Sequence, residues 1–348
     1  MNKLIFLGRR AMSLRLRIFK PAREEEYDVI VVGAGPAGLS AALYSARYRL
    51  KTLLIGETIG GQLASAGIVD DYPGLIEVEA SELIQRFVNH VSKHGVPIVR
   101  DRVEDVKKEG DFFRIYTRSG TTYRSRAVII AVGLERKKLG VPGEAEYSGK
   151  GVSYCTVCDV PFFKGKRIVI VGGGNSGVTG AIHAVGYASK ICLVTRGERL
   201  RAFPVYVETL NKYSDKVEII LNSTVIEIGG DAEVRYAVIK NLKTGETRKV
   251  DVEGVFIEIG NQPPTDFFRK IGLEVDEKGL INVKPGGYTN IEGIFAAGDC
   301  AGGKNKYYYQ QVITSAAEGA MTADAAFKWI IQKGYQVLGL QKIAPTLS

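Results

Sequence analysis

Apolar residues in this chain fall in short runs, each followed by a glycine-rich turn and then by a stretch with helical spacing. Tyr27-Asp28-Val29-Ile30-Val31-Val32 is such a run, and a nearly continuous apolar segment of this length predicts a strand buried on both faces. Gly33-Ala34-Gly35-Pro36-Ala37-Gly38 follows at once; a helix is then expected over 39–48 and a strand over 50–55. The pattern returns later, with a strand at Arg167–Val171, the turn Gly172-Gly173-Gly174-Asn175-Ser176-Gly177, a helix over 178–187 and a strand at Lys190–Val194. Two such units, their turns beginning 139 residues apart, predict an α/β protein with two Rossmann-like nucleotide-binding domains.

Other segments alternate in the manner of half-buried strands. Residues 97–132, with Phe113-Arg114-Ile115-Tyr116, predict a β-meander inserted in the first domain, and similar alternation returns over 217–260. Gly293-Ile294-Phe295-Ala296-Ala297-Gly298-Asp299 reads as a further strand and turn, and 311–332 as a long helix.

Composition narrows the class. The chain has 348 residues, 45% hydrophobic and 24% charged, which argues against disorder and a disulfide-rich scaffold. No apolar run reaches the ~18 residues of a membrane-spanning helix. The net charge is +9, but residues 1–23 hold seven basic residues and no acid, leaving only +2 for the rest. A nearly neutral body gives no footprint for nucleic acid, so neither nucleic acid nor membrane is expected as a partner. Residues 1–26 are set apart as a basic N-terminal extension. Their composition fits a transit peptide, while an upstream start codon with Met12 as the true start, or a loose tail, is the plainer reading. Four cysteines in this length suggest a reducing compartment, and a cytoplasmic location is expected.

The glycine turns carry the first chemistry. In each, the first glycine permits the tight turn, the second lets backbone approach a pyrophosphate, and the third lets helix and strand pack closely. The helix N-terminus then faces the anion. Gly33, Gly35, Pro36, Ala37 and Gly38 form one candidate site; Gly172, Gly174, Asn175, Ser176 and Gly177 form the other. After the first unit's second strand, Glu57 stands 22 residues past Gly35, where an acid accepts a ribose hydroxyl. After the second comes Thr195-Arg196-Gly197-Glu198-Arg199-Leu200-Arg201, with no acid at the strand end. Arginines there suit a 2′-phosphate and favour NADPH over NADH, although the segment also reads as a solvated basic loop.

Cys155-Thr156-Val157-Cys158-Asp159 carries the second chemistry. Two thiols at this spacing can close a small disulfide that is reduced and re-formed by thiolate exchange. A zinc site needs two more ligands, and Cys192, Cys300 and the three histidines offer none at metal spacing, so no metal is expected. Cys192 and Cys300 read as small apolar residues. Asp159 could give or take a proton as thiolate charge changes, or act as a cap or turn residue.

Taken together, residues 27–329 resemble the low-molecular-weight, prokaryotic-type thioredoxin reductases. The most specific segments are Ile129-Ile130-Ala131-Val132-Gly133, Leu139-Gly140-Val141-Pro142-Gly143-Glu144 and Gly149-Lys150-Gly151-Val152-Ser153-Tyr154-Cys155-Thr156-Val157-Cys158-Asp159. Gly60-Gly61-Gln62-Leu63 and Asp70-Asp71-Tyr72-Pro73-Gly74 resemble the family's flavin-side loop, Gly298-Asp299 its flavin-binding pair, and Gln310-Gln311-Val312 its Arg-Gln-Ala run. The resemblance implies FAD held by 27–139 and 263–348, and an inserted NAD(P)H domain over 140–262 that carries the cysteines. Gly61, Gln62, Leu63, Asp71, Ala131, Gly133, Gly298, Asp299, Gln310, Gln311 and Val312 would join the first glycine turn around FAD. Arg196 and Arg201 would meet the nicotinamide nucleotide. It further implies that Cys155 exchanges with the partner's disulfide, that Cys158 lies nearer the flavin, and that Asp159 handles the proton. A homodimer is implied, as is a two-stranded hinge near 140–143 and 260–264.

The activity implied is a flavoprotein oxidoreductase passing electrons from NADPH to thioredoxin or a thioredoxin-like protein. The chain departs from the family where Thr195 and Gly197 interrupt the usual His-Arg-Arg run. NADH or ferredoxin as donor, a glutaredoxin-like or peroxidase partner, and a flavin redox sensor without turnover therefore remain as alternatives.

Overall fold

A computed structural model describes residues 25–66, 68–304 and 306–343. Nearly all of the N-terminal extension therefore lies outside the described residues. The chain divides into two compact units: one runs to Leu134 and resumes at Pro263, and the other spans Glu135–Gln262.

In the first unit, the strands run across the sheet in the order Ile98–Val99, Thr52–Ile55, Glu26–Val32, Thr122–Ile130, Phe112–Thr117, Val103–Glu109. The first four are parallel, and the last three form the meander anticipated from the alternation. Thr122–Ile130 is long enough to serve two neighbours on one edge. Its first residues pair with Phe112–Thr117, and Val128–Ile130 pair with Ile294–Ala296. Side chains alternate between two cores. Val29 and Val31 join Leu54 and Ile129 on one face, while Ile30 and Val32 join Leu53 and Ile130 on the other. Each such side chain, at or near zero exposure, contributes roughly 1.5–3 kcal/mol. This two-sided burial is why the run carries no polar alternation.

The second unit repeats the arrangement. Its parallel strands lie in the order Val152–Ser153, Gly254–Ile257, Arg167–Val171, Lys190–Val194, Val217–Ile220. A separate three-stranded antiparallel sheet follows, formed by Ser223–Gly230, Val234–Asn241 and Thr247–Asp251. Counted from the strand that leads into each glycine turn, the third, second, first and fourth parallel strands of both units are adjacent in that order, which puts each glycine turn at a topological switch point.

Two details differ from expectation. Both helices begin three residues early, at Pro36–Arg47 and Asn175–Ala184. Pro36 is pre-set for the first helical position, and the third glycines, Gly38 and Gly177, lie inside the first helical turn. The two-stranded ribbon pairs Asn261–Gln262, inside the expected 260–264, with Glu135–Arg136, which lies ahead of the expected 140–143. Residues 139–141 are instead irregular and lead into a turn from Pro142, with the buried Glu144 accepting from the N–H groups of Leu139 (3.0 Å) and Gly140 (2.6 Å).

Candidate active site

The first glycine turn is shaped by contacts that admit no side chain. A Cβ on Gly33 would overlap the carbonyl oxygen of Ala131, and one on Gly38 would overlap that of Gly33. Gly35 is different: the nearest atom to its would-be Cβ is the Gly61 Cα, at 3.8 Å, so this face of the turn is open. Gly35 also caps the helix Pro36–Arg47 with no side-chain hydrogen bond. Bare helical N–H groups beside an open glycine face fit a pyrophosphate.

Of the other first-unit candidates, Ala131 and Gly61 lie against this turn, and a Cβ on Gly298 would meet Ala37. Ala131 donates its N–H to Val32, and Gly133 has φ +63° just beyond the neighbouring strand. Gln62 donates to the Leu134 carbonyl at 3.2 Å, and Leu63 is buried in the core. Asp71 is exposed. Glu57 is ion-paired with Arg118 at 2.8 Å and Arg102 at 3.5 Å, each on a different carboxylate oxygen. Asp299 accepts from the Ser315 hydroxyl at 3.1 Å; burial raises its pKa, against the Ser315 bond and the Lys306 charge. Gln311 caps the helix Val312–Gln332, its side chain accepting from the Thr314 N–H, and exposed Gln310 donates to the Tyr308 hydroxyl.

A clamp that sequence reading missed holds Gly298-Asp299. Lys306 Nζ donates to the carbonyls of Gly298 (2.9 Å) and Ala301 (2.8 Å) and to Glu318 (2.7 Å). Glu318 also accepts the Gly298 N–H at 2.8 Å. The available signal was a lone acid in a helix face otherwise made of Ser315, Ala316 and Gly319.

The second turn obeys the same rules with different neighbours. A Cβ on Gly172 would overlap the Glu258 carbonyl, and one on Gly177 that of Gly172, whereas nothing lies within 4 Å of Gly174. The helix Asn175–Ala184 again has no side-chain cap, and this turn too fits a nucleotide pyrophosphate. The loop after the second strand folds back over the turn: the Arg201 N–H donates to the Gly173 carbonyl at 2.7 Å, and the Phe203 N–H to the Asn175 side chain at 2.9 Å. Arg196, Arg199, Arg201 and Ser176 are exposed. Glu198, the loop's acid, pairs with Lys243 at 2.6 Å.

Cys155 and Cys158 form a disulfide in the same unit, with Cα atoms 5.4 Å apart. Cys155 is the N-cap of the single helical turn Thr156–Asp159, its sulfur accepting the N–H of Cys158, which lies within that turn, at 3.2 Å. Asp159 ends that turn, and its carboxylate accepts from the Ser153 hydroxyl at 2.7 Å. Ser153 Oγ in turn accepts the Cys155 N–H at 3.0 Å, so one hydroxyl joins the candidate proton carrier to the cysteine backbone. Tyr154 donates to Glu144 at 2.8 Å. After Asp159, Phe163 packs against Phe256, while Phe162 is 76% exposed.

Cys192 and Cys300 are buried free thiols, each with its pKa pushed up to about 11 by desolvation. Among the described residues, no group of His, Cys, Asp or Glu could hold a metal ion, and no helix is long and apolar enough to cross a membrane.

Comparison with known proteins agrees with this geometry. Residues 27–323 match the pyridine nucleotide-disulphide oxidoreductase family. The thioredoxin reductase of Bacillus subtilis is 38% identical over 311 residues, covering 89% of this chain and 96% of that protein. The crystal structure of Lactococcus lactis thioredoxin reductase superposes with a TM-score of 0.78 at 34% identity, covering 88% of this chain and 99% of the other. That of T. acidophilum thioredoxin reductase does so with 0.78 at 36%, covering 88% and 100%. The family pairs a flavin with a pyridine nucleotide, and this chain belongs to it: it is a flavoprotein oxidoreductase enzyme of the thioredoxin reductase group.

Proposed function

We propose that the enzyme carries two electrons from NADPH, by way of FAD and the Cys155–Cys158 pair, to the disulfide of thioredoxin or a thioredoxin-like protein. One observation supports this most directly: the redox-capable disulfide and a nucleotide-type glycine turn belong to one compact unit. When bound, the flavin supplies two-electron chemistry between a nicotinamide and a disulfide.

The unit resuming at Pro263 would hold FAD. Gly33, Gly35, Pro36, Ala37 and Gly38 offer the pyrophosphate cradle, Glu57 a ribose acceptor, and Asp299 a carboxylate acceptor held by Ser315. The unit Glu135–Gln262 would hold NADPH, with Arg196 and Arg201 facing the 2′-phosphate. In the reduced pair, the Cys155 thiolate attacks one sulfur of the partner's disulfide, and the other partner sulfur leaves as a thiolate. The Cys158 thiolate then attacks the Cys155 sulfur, which re-forms the internal disulfide and releases the reduced partner. Asp159 exchanges the proton, and exposed Phe162 offers the partner an apolar contact beside the cysteines. We further propose a cytoplasmic homodimer.

The test is an anaerobic titration of the purified enzyme with NADPH and, separately, NADH, following the flavin's visible absorption. Near-stoichiometric bleaching by NADPH, with NADH much weaker, is expected. Failure of both would remove the nucleotide as electron source and favour a ferredoxin-type donor.

A further inference from the structure

This inference rests on Cys155 and Cys158 being the redox pair of the proposed reaction. Glu258 follows the strand Gly254–Ile257 and is only 8% exposed. Its Oε1 accepts two hydrogen bonds from Thr156, the residue after Cys155: one from the backbone N–H and one from the hydroxyl, both at 3.0 Å. Its Oε2 accepts from Arg136 at 3.2 Å, on the two-stranded ribbon. Thr156 is fully buried, and a Cβ on Gly180 would come within 3.0 Å of it, so the residue is packed from the helix side as well. The Glu258 backbone is equally fixed. Its N–H donates to the Val171 carbonyl at 2.8 Å, and its carbonyl abuts Gly172. A carboxylate anchored in the sheet therefore grips the redox turn at the residue next to its exchanging cysteine.

We propose that Glu258 is a positioning residue for the Cys155–Cys158 centre, and that its charge keeps the dithiol a strong reductant. Reduction breaks the S–S bond, takes up two electrons and two protons, and yields two thiols, one of which ionises to attack the partner. A fixed negative charge held on the residue next to that thiolate raises its free energy and so favours the disulfide. It also directs the Thr156 N–H onto itself. Neutralising Glu258 leaves Arg136 unopposed, which favours the thiolate further. Both effects displace the equilibrium towards the dithiol.

The experiment equilibrates the full-length, FAD-loaded protein anaerobically in graded mixtures of reduced and oxidised dithiothreitol. There the electron pair comes from two dithiothreitol thiols as they close into a cyclic disulfide. The samples are quenched in acid, the thiols are alkylated, and the Cys155–Cys158 dithiol fraction is read by mass. Glu258→Gln keeps an oxygen acceptor for Thr156 and removes the charge. It is expected to shift the equilibrium about tenfold towards the dithiol, equivalent to about 30 mV. Glu258→Asp keeps the charge and is expected to stay within about threefold of wild type, under 15 mV by the same conversion. No shift with Glu258→Gln, or equal shifts with Gln and Asp, overturns the proposal. A wild-type pair that never opens in these buffers would instead overturn the redox-pair reading itself, and this proposal with it.

Discussion

The two glycine turns are built alike and surrounded differently. In each, the outer glycines press against a carbonyl that no side chain could share, and the middle glycine opens on space. The second strands end in different company. The first runs into Gly56 and Glu57, whose carboxylate is ion-paired with Arg118 and Arg102. The second runs into Thr195-Arg196-Gly197, where the loop's own acid, Glu198, is drawn off to Lys243. On that difference the turn is expected to govern how a pyrophosphate is approached, and the end of the next strand which ribose is carried. Only the second unit adds a disulfide, on a helical turn gripped by a residue next to its own glycine turn.

The sharpest break of the comparison is Cys155→Ser, which removes the second unit's added chemistry alone. Thioredoxin reduction is expected to fall by ~10³-fold or more, as for loss of a reacting nucleophile, while the nicotinamide still bleaches the flavin. Unchanged turnover in a thioredoxin-coupled assay would reassign the exchanging thiol. Next come the glycines. Gly172→Ala meets the Glu258 carbonyl at φ +142° and is expected to lower stability by about 1–3 kcal/mol, read by denaturant unfolding. Gly35→Ala faces open space; it is expected to leave stability within about 1 kcal/mol and to weaken FAD retention. Equal losses of stability would show that the middle glycine is structural too.

Arg196→Ala is expected to weaken NADPH by about 1.5–3 kcal/mol through loss of a charge-assisted contact, with little change for NADH. Equal weakening in a binding titration would mean that Arg196 does not read the phosphate. The smallest effect belongs to Glu57→Gln. Its ion pairs are half exposed, so their loss is expected to cost less than about 1 kcal/mol of stability. FAD release on dilution is the sharper readout, with a weakening of about 0.5–1.5 kcal/mol expected for one lost hydrogen bond. Retention equal to wild type would leave Glu57 as an arginine partner only.

Much of the site was legible in the residue order. The apolar runs 27–32 and 167–171 are buried strands, since each of their apolar residues faces one core or the other. Periodicity puts the helix starts late, since it begins at the first large apolar residue, whereas Pro36 opens its helix before it. The ribbon, implied by resemblance, is only half legible: Asn261–Gln262 falls within 260–264, but its partner is Glu135–Arg136, because Glu144 ties the N–H of Gly140 and a carbonyl abuts Gly143. Glu258 and Lys306 leave no mark in the residue order. A single charged residue beside a strand or in a loop carries no periodic signal.

What the sequence by itself determined is therefore local: two strand–glycine–helix turns, and a cysteine pair three residues apart that can close on itself. Short-range geometry suffices for these, because spacing along the chain sets the distance in space. What only the tertiary structure decided is the setting of those pieces. Glu258 reaches Thr156 across 102 residues, and Arg118 reaches Glu57 across 61. Such contacts exist only once parallel strands far apart in sequence lie side by side, since a parallel pair needs a long crossover before its ends can meet.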